Sequence, residues 1–397
     1  MKCGIWQTYM NRIIEKKFET ARKLFPVTHK SRGITYFNSG SSGPLCRPVK
    51  EALERFYDSA QFLDKNADVP AFADLDKIRA LGAKITGAGK DEIGFGFHTG
   101  YGLNLAAFGF RLKRGDEILL SDIEFPSNVY PWLALRQRGI KVNFVKSTDG
   151  RFDIDNFEKA IGKRTKVLSL SFVQFFNGYK NDLEKVGSIC RERGLYFVVD
   201  GIQGCGAEPI DVHKCYIDVF SSGGQKWLLS PQGTGIFYVR RELQDRLIIP
   251  FTSWLSVDWK LNFTDLFHYD LPLFDSARRF EMGTYPYGHV HAFAAALDLI
   301  TSLGVRNIQK HNHALLDLLI DYLKSNSYYR IVSNLEKKHR SSILSFTCPD
   351  ARKVHRELVK SKIICSFREG AIRVSVHLFN SRTDIKKLIS VLNRSVK

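Results

Sequence analysis

The sequence lacks any long apolar run, which excludes the simplest kinds of membrane-spanning and secreted protein. No stretch of about 18 apolar residues could cross a bilayer. Residues 1–25 mix acidic and basic side chains throughout and contain no apolar core segment of the kind that a signal peptide has. We therefore expect a soluble cytoplasmic protein.

Cysteine is scarce and is poorly spaced for a disulfide framework or a zinc site. The seven cysteines are scattered, odd in number, and form no C-x-x-C pair. This pattern favours free thiols in a reducing compartment and predicts no metal site.

Low-complexity tracts are also missing, and no long segment carries charge of one sign. The 397 residues, 44% of them hydrophobic, can bury the cores of two or three domains. The net charge of +18 raises nucleic acid as a partner, but the basic residues are dispersed and their densest groups also contain acids. Since no nucleic-acid recognition motif occurs, an anionic substrate or cofactor is the simpler explanation of the charge.

Short apolar runs alternate with helical segments through the first two thirds of the chain. The seven runs lie at residues 92–97, 116–121, 141–146, 166–173, 195–200, 217–222 and 233–239. Strands that alternate with helices in this way form a largely parallel sheet with helices on both faces. The sequence therefore predicts an α/β fold with a mostly parallel seven-stranded sheet in a large domain.

A long apolar helix near 289–304 separates this pattern from a smaller α+β unit with more alternating strands. The helical pattern over 6–25 has no partner in the first sheet pattern, so we expect this helix to pack on the C-terminal unit. We predict an N-terminal segment over 1–30, a large domain over 31–290 and a small domain over 291–397.

An aspartate and a lysine stand near the ends of two predicted strands. Asp200 ends the run "LYFVVD", and Lys226 follows a later run within "SSGGQK". Parallel sheets bind ligands beyond the carboxyl ends of their strands. A lysine in a partly desolvated pocket has a lowered pKa and can attack an aldehyde, and a buried aspartate can keep a pyridine nitrogen protonated. On these two residues alone, a strand-terminal acid and a surface lysine are the simpler interpretation.

The letters around these two residues resemble a known enzyme family. "VVDGIQ" followed by "SSGGQKWLLSPQGTG" is similar to the fold-type I pyridoxal-phosphate enzymes of the class V aminotransferase and cysteine desulfurase superfamily. The resemblance implies that Lys226 forms a Schiff base with pyridoxal 5′-phosphate. It further implies that Asp200 pairs with the pyridine nitrogen and Gln203 reaches the ring 3-oxygen, with Gln225 beside the lysine as another cofactor contact.

Further matches to this family concern the phosphate and the ring of the cofactor. "GFHTGYGLNLAA" lies where the family binds phosphate, which assigns the backbone N–H groups of Thr99 and Gly100 to it. Its glycine spacing does not fit a dinucleotide-binding turn, which argues against a dehydrogenase. In "SDIEFPSNVYPW", Phe125 replaces a family histidine that stacks on the ring; a phenyl ring can stack but cannot transfer protons. "SFVQFFNGYKNDL" matches the loop over the cofactor and suggests Gln174 as a contact.

Two later motifs imply contacts to a second subunit and to the substrate. "RRFEMGTYPYGHVHAFAAAL" resembles the segment in which a threonine crosses a dimer interface, so Thr284 would bind the cofactor phosphate of the partner in a homodimer with shared active sites. In "CSFREGAIRVSVHLFNS", the resemblance assigns Arg373 to the α-carboxylate of an amino-acid substrate, and Arg368 to a second position near the substrate.

The sequence departs from the cysteine desulfurases where their reactive thiol would be. In those relatives a cysteine follows the Arg-x-Gly segment within an inserted loop, whereas here Gly370 leads directly into the next strand. Cys365 and Cys205 lie in apolar and small-residue surroundings, where we expect buried structural thiols. The short loop looks more like the subgroup that contains isopenicillin N epimerase-like proteins.

We therefore expect a pyridoxal-phosphate-dependent enzyme that acts at the α-carbon of an amino acid, with aminotransferase as the first hypothesis. Carbon–sulfur lysis or epimerisation begins with the same proton abstraction and stays open. A non-catalytic descendant that uses the fold for binding is a third hypothesis. The sequence does not identify the substrate.

Overall fold

A seven-stranded sheet forms the centre of the chain in the computed structural model, which describes residues 13–62, 68–258, 264, 267 and 269–395. Its strands are β2 (Ile93–Gly96), β3 (Glu117–Ser121), β4 (Lys141–Val145), β5 (Thr165–Ser171), β6 (Tyr196–Asp200), β7 (Val219–Gly223) and β8 (Gly235–Val239). Their spatial order is β2-β8-β7-β6-β5-β3-β4. Each of the seven predicted runs overlaps one of these strands, and the bounds differ by one residue outside the run at the start of β5 and at the end of β7.

The sheet is parallel from β4 through β7, and β8 alone runs antiparallel to both of its neighbours. Successive residues of one strand belong to different apolar clusters on opposite faces of the sheet. In β6, Val198 packs in the cluster on one face and Val199 in the cluster on the other. Strands buried on both faces need apolar side chains at nearly every position, which is why the runs are continuous. The predicted fold class is confirmed.

Eleven helices surround the strands within the described part of the chain. They are α1 (residues 13–22), α2 (Arg47–Gln61), α3 (Asp68–Thr86), α4 (Thr99–Gly109), α5 (Tyr130–Ala134), α6 (Ile154–Ala160), α7 (Leu183–Glu192), α8 (Tyr287–Leu303), α9 (Val305–Lys324), α10 (Ala351–Lys360) and α11 (Arg382–Ser395). No single described helix is long and apolar enough to cross a membrane, although α8 and α9 together, bent by 73°, have the length and composition.

A second sheet lies in the C-terminal part and is antiparallel. It has four strands in the order β12 (Ser366–Arg368), β13 (Ala371–Ser375), β10 (Ile343–Thr347) and β9 (Arg330–Ile331). A separate parallel pair joins β1 (Thr35–Tyr36) to β11 (Ile363–Ile364). Helices α9, α10 and α11 contribute the apolar side chains that cover the small sheet.

Helix α1 contacts two of these C-terminal helices. Phe18 stacks on His311 of α9 with ring centroids 4.2 Å apart, and Arg22 pairs with Asp384 of α11 at 2.6 Å. The first seven residues of the predicted N-terminal helix, 6–12, lie outside the described residues. The boundaries predicted at residues 30 and 290 stay predictions.

A buried carboxylate joins the edge of the large sheet to the segment before α8. Glu281 is fully buried and accepts hydrogen bonds from Arg79 Nε at 2.9 Å and Arg79 Nη2 at 2.7 Å. It also accepts the backbone N–H of Phe95 at 2.9 Å and the hydroxyl of Tyr285. Each charge of the buried pair offsets the cost of removing the other from water. If Glu281 or Arg79 is removed, the remaining buried charge has no counter-ion and destabilises the fold.

Replacing Glu281 should therefore destabilise the whole fold. We expect Glu281→Gln to lower the free energy of unfolding by about 3 kcal/mol or more, because the buried Arg79 charge loses its bidentate partner. Urea denaturation followed by circular dichroism measures this. Glu54→Gln, which breaks the exposed pair between Lys50 and Glu54, is the matched control and should change stability little. Equal effects of the two substitutions would contradict the conclusion that the buried pair of Glu281 and Arg79 stabilises the fold.

Candidate active site

One cavity of about 550 Å³ lies beyond the carboxyl end of the central strand β6. Six of the predicted site residues line it: Thr99, Gly100, Phe125, Asp200, Gln225 and Lys226. They come from the start of α4, the segment after β3, the end of β6 and the turn between β7 and β8. The sheet topology thus gathers residues that are up to 127 positions apart in sequence, from Thr99 to Lys226, into one place.

Asp200 presents one unsatisfied oxygen within this site. The side chain is 1% exposed, and its Oδ1 accepts the backbone N–H of Ile202 at 2.9 Å. Its Oδ2 is buried and has no hydrogen-bond partner among the described residues. Burial raises the pKa of Asp200 well above the usual carboxyl range; the nearby Glu124 raises it further, while Lys226 opposes the shift. Such a carboxyl group can receive a charged N–H donor from a ligand.

Lys226 is the amine of the site and lies beside an aromatic ring. Its Nζ is 5.5 Å from the centroid of the Phe125 ring. Burial lowers the pKa of Lys226; the charge of Asp200 opposes this, while the positive charges of Arg373 and Arg368 lower the pKa further. The amine is therefore more easily neutral, and so more nucleophilic, than a surface lysine.

The start of helix α4 forms the end of the cavity where an anion would fit. The hydroxyl of Thr99 accepts the N–H of Gly223 at 2.9 Å, and the carbonyl oxygen of Thr99 accepts the hydroxyl of Ser221 at 2.7 Å. These bonds fix the turn on β7. Asn104 also donates to the carbonyl oxygen of Gly100 at 2.7 Å. The first N–H groups of a helix have no partner within the helix, so this fixed turn directs positive partial charge into the cavity.

Arg373 lies in β13 as a buried cation held by neutral acceptors. It is 2% exposed, and its Nε and Nη2 donate to the hydroxyls of Ser366 and Ser41, each at 2.9 Å, while Nη1 donates to the carbonyl oxygen of Phe175. No carboxylate of the described residues pairs with it. Burial lowers the pKa of Arg373 to about 10, and the positive charge of Arg368 adds to this. An incoming carboxylate would be a stabilising partner.

Arg373 and four other predicted residues are not among those that line the cavity. The Gln203 amide donates to the carbonyl oxygen of Gly40 at 2.9 Å and accepts from Trp227 Nε1 at 3.0 Å. The Gln174 amide donates to Glu124, and Thr284 and Arg368 are exposed. Their assigned contacts with cofactor, partner and substrate stay predictions.

Glu124 was not predicted from the sequence, although it stands directly before Phe125 in "SDIEFPSNVYPW". This buried carboxyl group accepts Asn128 Nδ2 at 2.9 Å, the backbone N–H of Ser171 at 2.9 Å and Gln174 Nε2 at 3.1 Å. Burial raises its pKa, and these donors oppose the shift. Because the acid fixes the amide of Gln174, it orders the loop that was assigned to the cofactor. The signal in the sequence was an acid between two apolar residues, Ile123 and Phe125.

The two cysteines nearest to the motifs are buried, as expected. Burial raises the pKa of Cys205 and that of Cys365 to about 12 each. None of the six described cysteines lines the cavity. A thiol with this pKa is almost entirely protonated near neutral pH and is a poor nucleophile.

The features of the cavity fit pyridoxal phosphate. Asp200 Oδ2 lacks a donor that a protonated pyridine nitrogen would supply, and Lys226 is an amine that can bind an aldehyde. Phe125 offers an apolar face for a planar ring, and the start of α4 suits a phosphate. Each part of the cofactor has a matching group, and the groups are distributed over one cavity.

Comparison with known proteins gives the same assignment. The family model "Aminotransferase class-V" matches residues 35–388. A probable cysteine desulfurase of Pyrococcus abyssi is 28% identical, with 96% of this chain and 98% of that protein covered. The uncharacterized aminotransferase YcbU of Bacillus subtilis is 27% identical, with 94% and 96% covered. The apo structure of a cysteine desulfurase from Thermococcus onnurineus has a TM-score of 0.84 at 25% identity, with 95% and 98% covered.

The unsatisfied carboxyl group predicts an unusual pH dependence of the cofactor-free protein. Because the pKa of Asp200 is raised in the folded state, the folded state retains a proton that the unfolded state loses above the ordinary value of 3.8. Stability should therefore fall as the pH rises from that value towards the raised one.

Asp200→Asn should remove this slope and stabilise the cofactor-free protein at pH 7 by about 1–3 kcal/mol, the scale of one unsatisfied buried group. Urea denaturation at a series of pH values measures it. Asp58→Asn, at an exposed acid of α2, is the control and should keep the slope of the unmodified protein. A loss of stability in Asp200→Asn would show that the carboxylate is already paired.

Proposed function

This chain belongs to the aminotransferase class-V family of pyridoxal-phosphate-dependent enzymes, and from that premise we propose that it moves the amino group of an amino acid to a keto acid. When bound, the cofactor withdraws electrons from the substrate α-carbon, so that bonds to this carbon break more easily. The observation that carries the proposal is the combination of Lys226, Asp200 and the carboxylate-free Arg373 at a site without a cysteine among its described residues.

Each residue supplies a separate function to this reaction. Lys226 Nζ, as a free amine, would be the base that takes the α-proton and returns it elsewhere. Asp200 Oδ2 would accept the protonated ring nitrogen of the cofactor, and Phe125 would offer its apolar face to the ring. Arg373 binds the substrate carboxylate through two parallel hydrogen bonds and thereby orients the bond that breaks.

A second candidate reaction is elimination at the β-carbon, in the manner of a carbon–sulfur lyase, with epimerisation beside it. The full-length likeness to a protein named as a probable cysteine desulfurase favours cleavage of a carbon–sulfur bond over epimerisation. Both reactions need the same proton abstraction by Lys226. A cysteine desulfurase reaction would also need a thiol at the site to form a persulfide. None of the described cysteines lines the cavity, so the site lacks that thiol among its described residues.

The proposal includes a homodimer in the cytoplasm. Thr284 is exposed, and the segment around it is held by the hydrogen bond between Tyr285 and Glu281. This position supports contact between Thr284 and the cofactor phosphate bound by a second copy of the chain. The six described cysteines are unpaired thiols, which supports a reducing compartment.

The reaction is tested by incubating the protein and cofactor with a panel of amino acids and one keto acid. We expect formation of a new amino acid, with at least about 10³-fold less activity in Lys226→Ala because the base is gone. Lys214→Ala, at an exposed lysine, is the control and should keep full activity. Release of pyruvate and ammonia, or loss of optical activity without transfer, would replace the proposal by the second candidate.

Arg373 gives a separate test of substrate binding. We expect Arg373→Lys to lower kcat/KM for amino acids about 100-fold, because an ammonium group cannot form the bidentate pair, and to leave cofactor affinity nearly unchanged. Steady-state kinetics and cofactor titration measure the two quantities. Arg382→Lys, on the exposed surface of α11, is the control. A larger effect on cofactor affinity than on kcat/KM would remove Arg373 from the substrate site.

A further inference from the structure

His98 lines the cavity but has no role in the functions assigned above. It is the last residue before helix α4, and its backbone is extended. The side chain makes no capping hydrogen bond to the helix, and it is exposed rather than packed in the core. The imidazole is therefore free to contact a ligand in the cavity.

The imidazole lies directly against the first turn of α4. A β-carbon placed on Gly100 would be 3.2 Å from His98 Nδ1, so the space beside the Gly100 backbone is already occupied by the ring. Gly100 permits this close approach because it has no side chain. The ring nitrogen and the first N–H groups of the helix thus share one end of the cavity.

The charges around His98 favour an anion. Among the described residues that line the cavity, Asp200 is the only carboxylate, and it lies at the end of β6 rather than at the start of α4. The hydroxyl of Thr99 is oriented toward β7, where it accepts the N–H of Gly223. The first turn of α4 therefore offers backbone N–H groups, and His98 is the side chain beside them that can add a hydrogen bond.

We propose that His98 binds the phosphate of pyridoxal phosphate together with the backbone N–H groups of Thr99 and Gly100. Asp200 lines the same cavity, and its fully buried Oδ2, which has no partner among the described residues, indicates a ligand with a cationic donor. An imidazole N–H donated to a phosphate oxygen is a charge-assisted hydrogen bond, which is stronger than a bond between neutral groups. The inference holds whichever reaction the enzyme catalyses.

The test compares two ligands that differ only in the phosphate. The dissociation constants of pyridoxal phosphate and of pyridoxal are measured on the cofactor-free protein by absorbance titration, without any amino acid. We expect His98→Ala to weaken pyridoxal phosphate about 10- to 100-fold, the range of one hydrogen bond to a charged group, and to change pyridoxal less than about twofold. His98→Gln, which keeps an N–H donor, should lose less affinity than His98→Ala.

Two comparisons make the test decisive. His29→Ala, at an exposed histidine outside the cavity, should bind both ligands as the unmodified protein does. Thermal unfolding of the cofactor-free variants shows whether His98→Ala is folded. An equal loss of affinity for both ligands would place His98 at the ring or in the fold, and no loss for pyridoxal phosphate would remove it from the site; either result overturns the inference. Because no substrate is present, neither result depends on whether the enzyme transfers an amine.

Discussion

Asp200 and Lys226 are withdrawn from water at the same edge of the seven-stranded sheet, and the chemistry of the site follows from that desolvation. Burial shifts both pKa values toward the neutral forms, which leaves an amine that can act as a nucleophile. It also leaves a carboxyl oxygen of Asp200 with no donor among the described residues. An unsatisfied buried polar group costs about 1–3 kcal/mol. A ligand that brings a charged N–H to Asp200 offsets this cost, so the arrangement favours binding of a cationic heterocycle.

The other buried charges show what the chain does where no ligand is expected. Glu281 is surrounded by four donors, two of them from Arg79, and Glu124 accepts from Asn128, Ser171 and Gln174. These carboxyl groups join separate segments and have no free oxygen. Arg373 is intermediate, because serine hydroxyls and a carbonyl oxygen orient it without neutralising it. Among these four groups, the completeness of the hydrogen bonding separates Glu281 and Glu124, which join segments of the fold, from Asp200 and Arg373, which are assigned to ligands.

The relation of this chain to its relatives fixes the fold and the cofactor more firmly than the reaction. All members of such a family share the electron-withdrawing cofactor, and they differ by the group that leaves and by the residues that return the proton. Here the burial of Cys205 and Cys365 removes the nearest thiols from the reaction, while the cavity retains a basic amine. Which bond breaks after removal of the α-proton depends on the side chain of the substrate as well as on the residues of the site.

The seven strands, the helices between them and the pairing of Asp200 with Lys226 in one site could be predicted from the residues alone. These features depend on neighbours along the chain: a strand buried on both faces must be apolar throughout, and strand ends of a parallel sheet meet at one edge. The folded chain was needed to show that Gln203 bonds to Gly40 and Trp227, that Glu124 fixes Gln174, and that His98 lies against Gly100. The two bonds of Gln203 and the bond between Glu124 and Gln174 link residues that are 24–163 positions apart, and the position of His98 depends on a rotamer, so none of them leaves a periodic pattern in the sequence.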